Sequence, residues 1–388
     1  MEASEIITRA WLTLIRAPGV GGAKLRRWLD EADGDAARAL DTVLGAPAVH
    51  GAEGDTLAWL RHPDPKRLEL DLVWLDAPGH RLLRYTEIDF PPLLAEIPGA
   101  PAALFVNGHS EALLLPQVAM VGARNASAAG LDHARDFART LAASGLAVTS
   151  GLADGIDGAA HQATVAADGV TVAVMGTGPD RVYPRQHREL AARIVERGAL
   201  VSEFPPGTEA RPHHFPRRNR LIAGLSLGTL VIEASLRSGS LITARLASEQ
   251  GREVFALPGS IHNPLAKGCH RLIRDGARLV ETADEVTEAL TPMAQALGAQ
   301  LAERLAQAPP ELPIEVAAAP VSSEPAPGWC GDGDYQRLLA ALGHDPVALD
   351  TLAQRTGLET SALSSMLLML ELDGVVETCP GGRYQRRG

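Results

Sequence analysis

The chain has 388 residues, 46% hydrophobic but only 4% aromatic, so two or three domains are expected, with cores filled by Leu, Val and Ala. The formal charge of −11 argues against a uniformly basic nucleic-acid coat, and no run is long and apolar enough to cross a bilayer. Met1 to Arg16 lacks the features of a signal peptide, and Cys269, Cys330 and Cys379 form no CxxC pair, which disfavours a zinc site or disulfide framework and points to a reducing cytoplasm.

Residues 1 to 85 read as helices with loops. From about 95 to 290, one pattern repeats: a short apolar run ends at small residues and an amphipathic helix follows. Val118–Val121 leads to Gly122-Ala123-Arg124 and a helix over Ala128 to Ala143; Leu146–Thr149 leads to Gly151 and a helix through His161. Val170–Met175 leads to Gly176, Leu200–Ser202 follows a helix from about His187, Gly228–Ile232 leads to Ser238-Gly239-Ser240, and Val254–Ala256 leads to Pro258-Gly259. Buried apolar strands alternating with helices predict an α/β fold with a doubly wound parallel sheet, whose ligand site lies at the carboxyl ends of the strands. Residues 291–330 form a Pro/Ala-rich linker, with seven prolines between Thr291 and Gly328, and 332–388 form a small separate domain.

Charge is unevenly distributed. Pro205 to Asp275 holds ten Lys/Arg against five Asp/Glu, a basic island in an acidic chain. Such an island is either a binding footprint or ordinary fluctuation. Within it, Phe215-Pro-Arg-Arg218-Asn219-Arg220 joins an aromatic to three arginines, the mixture that sequence-tolerant single-strand binding uses; the alternative is a core Phe215 with arginines paired to acids such as Glu203 and Glu233. Ser238-Gly239-Ser240 at a helix start suits a phosphate, or caps the helix, and Arg245 lies one turn further on. Gly122-Ala123-Arg124 is the first strand-to-helix turn, where helix N–H groups and Arg124 suit an anion. No GxGxxG follows that strand, which disfavours NAD or FAD, and no cofactor is expected. Asp157 and His161 share a helix face with Asp154 nearby, but no nucleophile or third ligand joins them, so no catalytic or metal residue is assigned. His213-His214 reads as a polar loop.

The run of Gly122-Ala-Arg124, Gly151 to Asp157 with His161, Phe215 to Ser226, Ser238 to Ala244, Gly251 to Gly259 and Leu272 to Ala277 resembles the DprA/Smf (DNA-processing protein A) family over most of residues 95 to 290. The resemblance implies an extended Rossmann-like domain that binds single-stranded DNA in a basic pocket, on a non-enzymatic homodimer that protects incoming DNA in natural transformation and loads the recombinase RecA. By position it implies phosphate-binding turns at Gly122 and Arg124 and at Ser238–Ser240, and a basic–aromatic loop at Phe215, Arg218, Asn219 and Arg220. The sequence departs from the family pattern at Ala123, often serine; Asp154, usually arginine; and His270, commonly asparagine.

The flanks fit the same resemblance. Leu14 to Lys24 is similar to a helix–hairpin–helix turn of a sterile-alpha-motif-like N-terminal domain, in which Gly19-Val20-Gly21 and Lys24 either meet a phosphate or serve structure alone. Asp334 to Arg386 resembles a winged helix, with helices at Leu349–Thr356 and Thr360–Leu372 and a wing at Val375–Tyr384 tipped by Gly381-Gly382. Its presumed recognition helix has no Lys or Arg, so it is expected to read duplex DNA poorly; the consecutive Met366 to Leu370 suggest docking on protein instead. The competing reading is a nucleotide phosphoribohydrolase-like enzyme on a related fold, whose Pro-Gly-Gly-x-Gly-Thr turn is only partly matched at Leu227-Gly228-Thr229.

Overall fold

The computed structural model describes residues 3–306, 333–342 and 347–358, together with 363, 366, 367, 370, 375–379 and 383–386. The chain divides into two compact units, 1–309 and 310–388.

The first unit opens with five helices, α1 (Ala3–Ile15), α2 (Gly22–Asp30), α3 (Ala36–Gly45), α4 (Gly54–Arg61) and α5 (Pro65–Leu75). Asp35 and Asp64 accept backbone N–H bonds at the starts of α3 and α5, and Pro65 occupies the first turn, where its missing N–H costs nothing. Trp11, Leu14, Trp28 and Leu29 form the buried centre of this bundle, together with Leu82 and Phe105 from the neighbouring sheet. Those two residues lie on β1 (His80–Arg84) and β2 (Ala103–Gly108). β1 therefore falls inside the stretch expected to be helical, and joins the sheet by antiparallel pairing with β2.

Between and beyond these strands follow α6 (Pro92–Ala95), β3 (Gln117–Val121), α7 (Ala128–Ala143), β4 (Ala147–Ser150), α8 (Ile156–Ala166), β5 (Thr171–Val174), α9 (Arg188–Ile194) and β6 (Ala199–Ser202). Then come α10 (His214–Leu225), β7 (Gly228–Val231), α11 (Ser240–Glu249), β8 (Glu253–Ala256), α12 (Lys267–Arg274), β9 (Arg278–Leu279) and α13 (Ala283–Ala306). The nine strands lie in the order β1-β2-β6-β5-β4-β3-β7-β8-β9, parallel from β6 to β9 and antiparallel at the β1-β2-β6 edge. Every residue of β3, β4, β5, β6 and β7 is buried, because helices cover both sheet faces. Successive side chains of β3 enter opposite layers: Val121 packs with Val172 and Leu221, Met120 with Phe137 and Leu230. From β3 the chain winds outward one way through β4 to β6, then crosses to β7 and winds the other way. The gap between the carboxyl ends of β3 and β7 is the switch point, where such sheets leave room for a ligand.

α13 runs through residues 291–306, which composition assigned to the linker. Val286, Leu290 and Leu297 are buried and Met293 and Leu301 half-buried, a stripe at helical spacing packed with Phe137 and Leu141. That burial outweighs the cost of Pro292 inside the helix, about 3 kcal/mol. Residues 307–330 lie outside the described residues. Among the described residues no helix is long and apolar enough to cross a membrane.

The second unit contains α14 (Gly333–Leu342), β10 (Val347–Ala348), α15 (Leu349–Thr356), β11 (Val376–Cys379) and β12 (Arg383–Arg386), its strands ordered β10-β12-β11 and antiparallel. Gly357 ends α15 in the left-handed conformation, φ +69°. Leu363, Met366, Leu367 and Leu370 are helical and buried with Leu338, Leu342 and Leu352, so much of the apolar run is consumed by the domain's own core. Leu368 and Met369, Ser364 and Ser365, Gly381, Gly382 and Arg387 lie outside the described residues.

Candidate nucleic-acid cleft

The turn after β3 is set by close packing. A Cβ on Gly122 would lie 2.5 Å from Ile156 Cγ1, and one on Gly155 (φ +78°) would lie 2.2 Å from the Ala123 carbonyl oxygen. The turns after β3 and β4 thus interlock, and only glycine fits at either contact. Ser127 caps α7 by accepting the Gly130 N–H at 3.0 Å, and Glu233, just past β7, accepts from the Ser127 N–H and hydroxyl at 2.9 and 2.6 Å. Ala123 is buried, whereas Arg124 is exposed. Among the described residues the guanidinium of Arg124 has no ion pair or hydrogen bond; it lies over the Phe215 ring, 5.8 Å from its centroid, and near enough to Arg218 for the two cations to repel.

Phe215 to Arg220 form no loop: they are the first turns of α10. Pro216 sits in the opening turn, where it is compatible with a helix. Phe215 is half-buried; its ring touches Gly176 and lies 5.5 Å from the Tyr183 ring. Arg218 departs most from expectation. It is 4% exposed and donates to the Gly151 carbonyl at 2.6 Å, to the Val174 carbonyl and to Asn219 Oδ1 at 3.1 Å. Asp157 is buried beside it and accepts the Gly151 N–H at 3.1 Å. Burial pushes the Asp157 carboxyl upward, the neighbouring guanidinium opposing it; burial also pulls Arg218 down to about 10. A Cβ on Gly151 would strike the guanidinium at 2.1 Å, which explains that glycine. Arg218 is thus a tie between the ends of β4 and β5 and α10, rather than a hand open to solvent.

Two further residues engage acids. Arg220 is 16% exposed on its side chain and pairs with Glu203 at 2.5 Å, while Arg217 takes the same carboxylate at 3.0 Å. Two of the three arginines therefore serve one buried acid. Arg245 pairs with Glu249 at 3.4 Å and borders a different cleft, between α11 and α12. The second turn is placed as expected but capped differently: α11 starts at Ser240 with Gly239 as its N-cap, and the Ser238 and Ser240 hydroxyls bond to each other at 2.6 Å.

What remains converges. Gly122 and Arg124 beyond β3, Phe215 and Asn219 on α10, and Ser238 to Ser240 beyond β7 border one cleft of about 650 Å³ at the switch point, with Arg218 at its base. Sequence reasoning missed Tyr183, which forms another wall; its signal was an aromatic in a loop with Arg181 and Arg185 on either side.

The other candidate groups are structural. His161 is fully buried, and its Nδ1 lies 2.7 Å from the Thr171 hydroxyl, whose proton goes to the Val148 carbonyl at 2.6 Å. Nδ1 therefore carries the hydrogen, and burial pulls the ring down to about 3, leaving it neutral. His214 stacks on Phe204 at 4.1 Å. His270 Nε2 lies 3.0 Å from the Gly259 carbonyl, and Asp154 accepts from the Gln186 amide. At the N-terminal hairpin, Lys24 donates to the Gly51 carbonyl at 2.5 Å, and Glu203 Oε1 stands 3.0 Å from where a Gly22 Cβ would be. A carboxylate thus borders the start of α2, directly after the Gly19-Val20-Gly21 turn.

The fold and cleft define a doubly wound α/β protein with an anion-suited site at the switch point, preceded in the chain by a helical bundle and followed by a winged-helix unit. Residues 81–291 match the family model described as DNA recombination-mediator protein A, and residues 316–382 match the DprA winged helix domain. Protein Smf of Escherichia coli is 43% identical over 323 residues, covering 83% of this chain and 82% of that protein. The X-ray structure of DNA processing protein A from Streptococcus pneumoniae superposes with TM-score 0.64 at 34% identity, over 73% of this chain and 98% of that one. DNA processing protein A from Helicobacter pylori, solved for its single-stranded DNA binding mode, superposes with TM-score 0.50 at 26% identity, over 55% of this chain and 96% of that one. The chain belongs to the DNA recombination-mediator protein A family, DprA/Smf.

Proposed function

We propose that this chain binds single-stranded DNA in the switch-point cleft, as a non-catalytic mediator in the cytoplasm. The observation that carries the reading is Arg124, exposed and free of any ion pair among the described residues, beside the half-buried ring of Phe215 and opposite the Ser238–Ser240 turn. An unpaired guanidinium supplies phosphate attraction, a ring supplies a stacking face, and neither demands a base sequence. The Helicobacter pylori relative's single-stranded DNA binding supports this. Protection of incoming DNA, RecA loading and homodimerisation follow as proposals from family membership. Nucleotide hydrolysis gains no support from the cleft, since the carboxylate bordering it, Asp157, is tied to the Gly151 N–H beside Arg218.

Anisotropy titration with labelled oligo(dT) tests this. Phe215→Ala is expected to lose about 1–3 kcal/mol of binding in the folded protein, beyond whatever stability its half-buried ring contributes, and Phe215→Tyr to stay close to wild type. A melting loss without any affinity loss assigns the ring to the core instead. Arg220→Ala should do the opposite: it leaves Glu203 with Arg217 alone, so about 3 kcal/mol of stability is expected to go while the folded protein keeps its affinity. Affinity lost at unchanged stability would return Arg220 to the site.

A further inference from the structure

A second cleft, of about 730 Å³, adjoins the first, and Tyr183 borders both. It lies between the loop after β5 and the start of α9, with Arg181, Arg185 and Arg188 on its rim. We propose that this cleft continues the path of the single strand, with Tyr183 stacking a base beyond the one on Phe215, and Arg185 and Arg188 holding the phosphates that follow. The proposal rests on the reading of the first cleft and lengthens its ligand.

Three observations support it. Tyr183 is 50% exposed, an unusual setting for a large aromatic, and its ring is tilted 45° from Phe215 at 5.5 Å, so the two faces form successive platforms. The acids of the cleft are already engaged. Arg181 reaches Asp180 at 3.9 Å and Glu209 at 3.5 Å, and Asp180 also accepts the Gly207 N–H at 2.8 Å. Arg185 and Arg188 are exposed and, among the described residues, have neither an ion pair nor a hydrogen bond from their side chains. They stand three residues apart across the junction of a single 3-10 turn and α9, a spacing that brings side chains to neighbouring positions. With Arg124, they give three free guanidinium groups along two adjoining clefts with two aromatic rings between, the composition of a groove that tracks a backbone without reading sequence. Glu189 follows Arg188 in the first turn of α9 but is exposed and does not line the cleft, and Asp154 is occupied by Gln186 and lies 3.7 Å from His187 Nε2.

The test compares labelled oligo(dT) of about 4 and about 12 nucleotides, within the range of single-strand site sizes, on the intact chain. The double variant Arg185→Ala/Arg188→Ala is expected to weaken the longer oligomer about tenfold and flatten its log–log salt slope by about 1.4, at about 0.7 per lost phosphate contact, while the short oligomer changes less than about twofold. Tyr183→Ala should show the same length dependence. Both arginines are exposed, so melting temperatures should hold. Equal weakening at both lengths would mean diffuse charge and overturn the proposal, as would no weakening at either. Arg124→Ala separates the two readings. Loss there with none from the arginine pair overturns the second cleft alone; no loss with Arg124→Ala at either length overturns the first cleft, and the continuation with it.

Discussion

Arg124→Ala is expected to weaken single-stranded DNA binding by about 2–3 kcal/mol, roughly thirty- to a hundredfold, without lowering the melting temperature. The size follows from what Arg124 lacks. It is exposed, and among the described residues no acid or carbonyl competes for its guanidinium. A phosphate therefore meets it without displacing a partner, and the bond is charge-assisted at both ends. On an oligomer short enough to occupy the first cleft alone, Arg124 is the one unpaired cation among the described residues that line it, so the salt slope should be near −0.7 and approach zero in the variant. Arg124→Lys keeps the charge but loses the planar fork, and should recover part of the affinity. Unchanged affinity for Arg124→Ala on every oligomer would remove the cleft from the account.

The second large effect concerns folding. Arg218→Met, close in volume but uncharged, is expected to cost about 3–5 kcal/mol of stability. It strips the donors from the Gly151 and Val174 carbonyls and leaves the Asp157 carboxylate buried beside an apolar chain. The pH dependence has a defined sign. Burial already raises the Asp157 carboxyl in the folded state, and Arg218 restrains that rise. Without Arg218 the folded-state value moves further up, so the protonated acid favours folding, and that contribution fades as pH rises through the folded value. The deficit of the variant relative to wild type should therefore be largest at neutral pH and shrink in acid. Urea denaturation followed by circular dichroism at two pH values checks this; a deficit below about 1 kcal/mol, or one that grows in acid, contradicts it.

The doubly wound sheet was legible because β3, β4, β5 and β7 are short apolar runs that end at glycine or small polar residues, each followed by an amphipathic helix. The convergence of Gly122, Phe215 and Ser238 was legible for a related reason: the turns after β3 and β7 flank the switch point, and α10 leads into β7. Less visible was β1, a five-residue strand behind a helical bundle, whose pairing with β2 is antiparallel and lies outside the repeating pattern. α13 was hidden by Pro292 and by composition, although its apolar stripe was present. The arginines were the hardest part. Arg217 and Arg220, three residues apart on α10, share a face and one acid, whereas Arg218 between them turns to the carbonyls of Gly151 and Val174, so adjacency in sequence does not mean a shared face. Glu203, which takes two of them, follows β6, and the carbonyls that take Arg218 belong to β5 and to the residue after β4. No local pattern encodes those partners. Tyr183 was passed over because its value arises only beside Phe215.

The central claim is that the strand lies in the switch-point cleft, and photo-crosslinking addresses it most directly. Iodouracil-substituted oligo(dT), irradiated in complex with the intact wild-type chain and mapped by mass spectrometry, should attach to Phe215 and, with longer oligomers, to Tyr183. These are the two aromatic rings that border the clefts. Crosslinks confined to the winged-helix unit or to the N-terminal hairpin around Lys24, with none on peptides holding Phe215 or Tyr183, would contradict it.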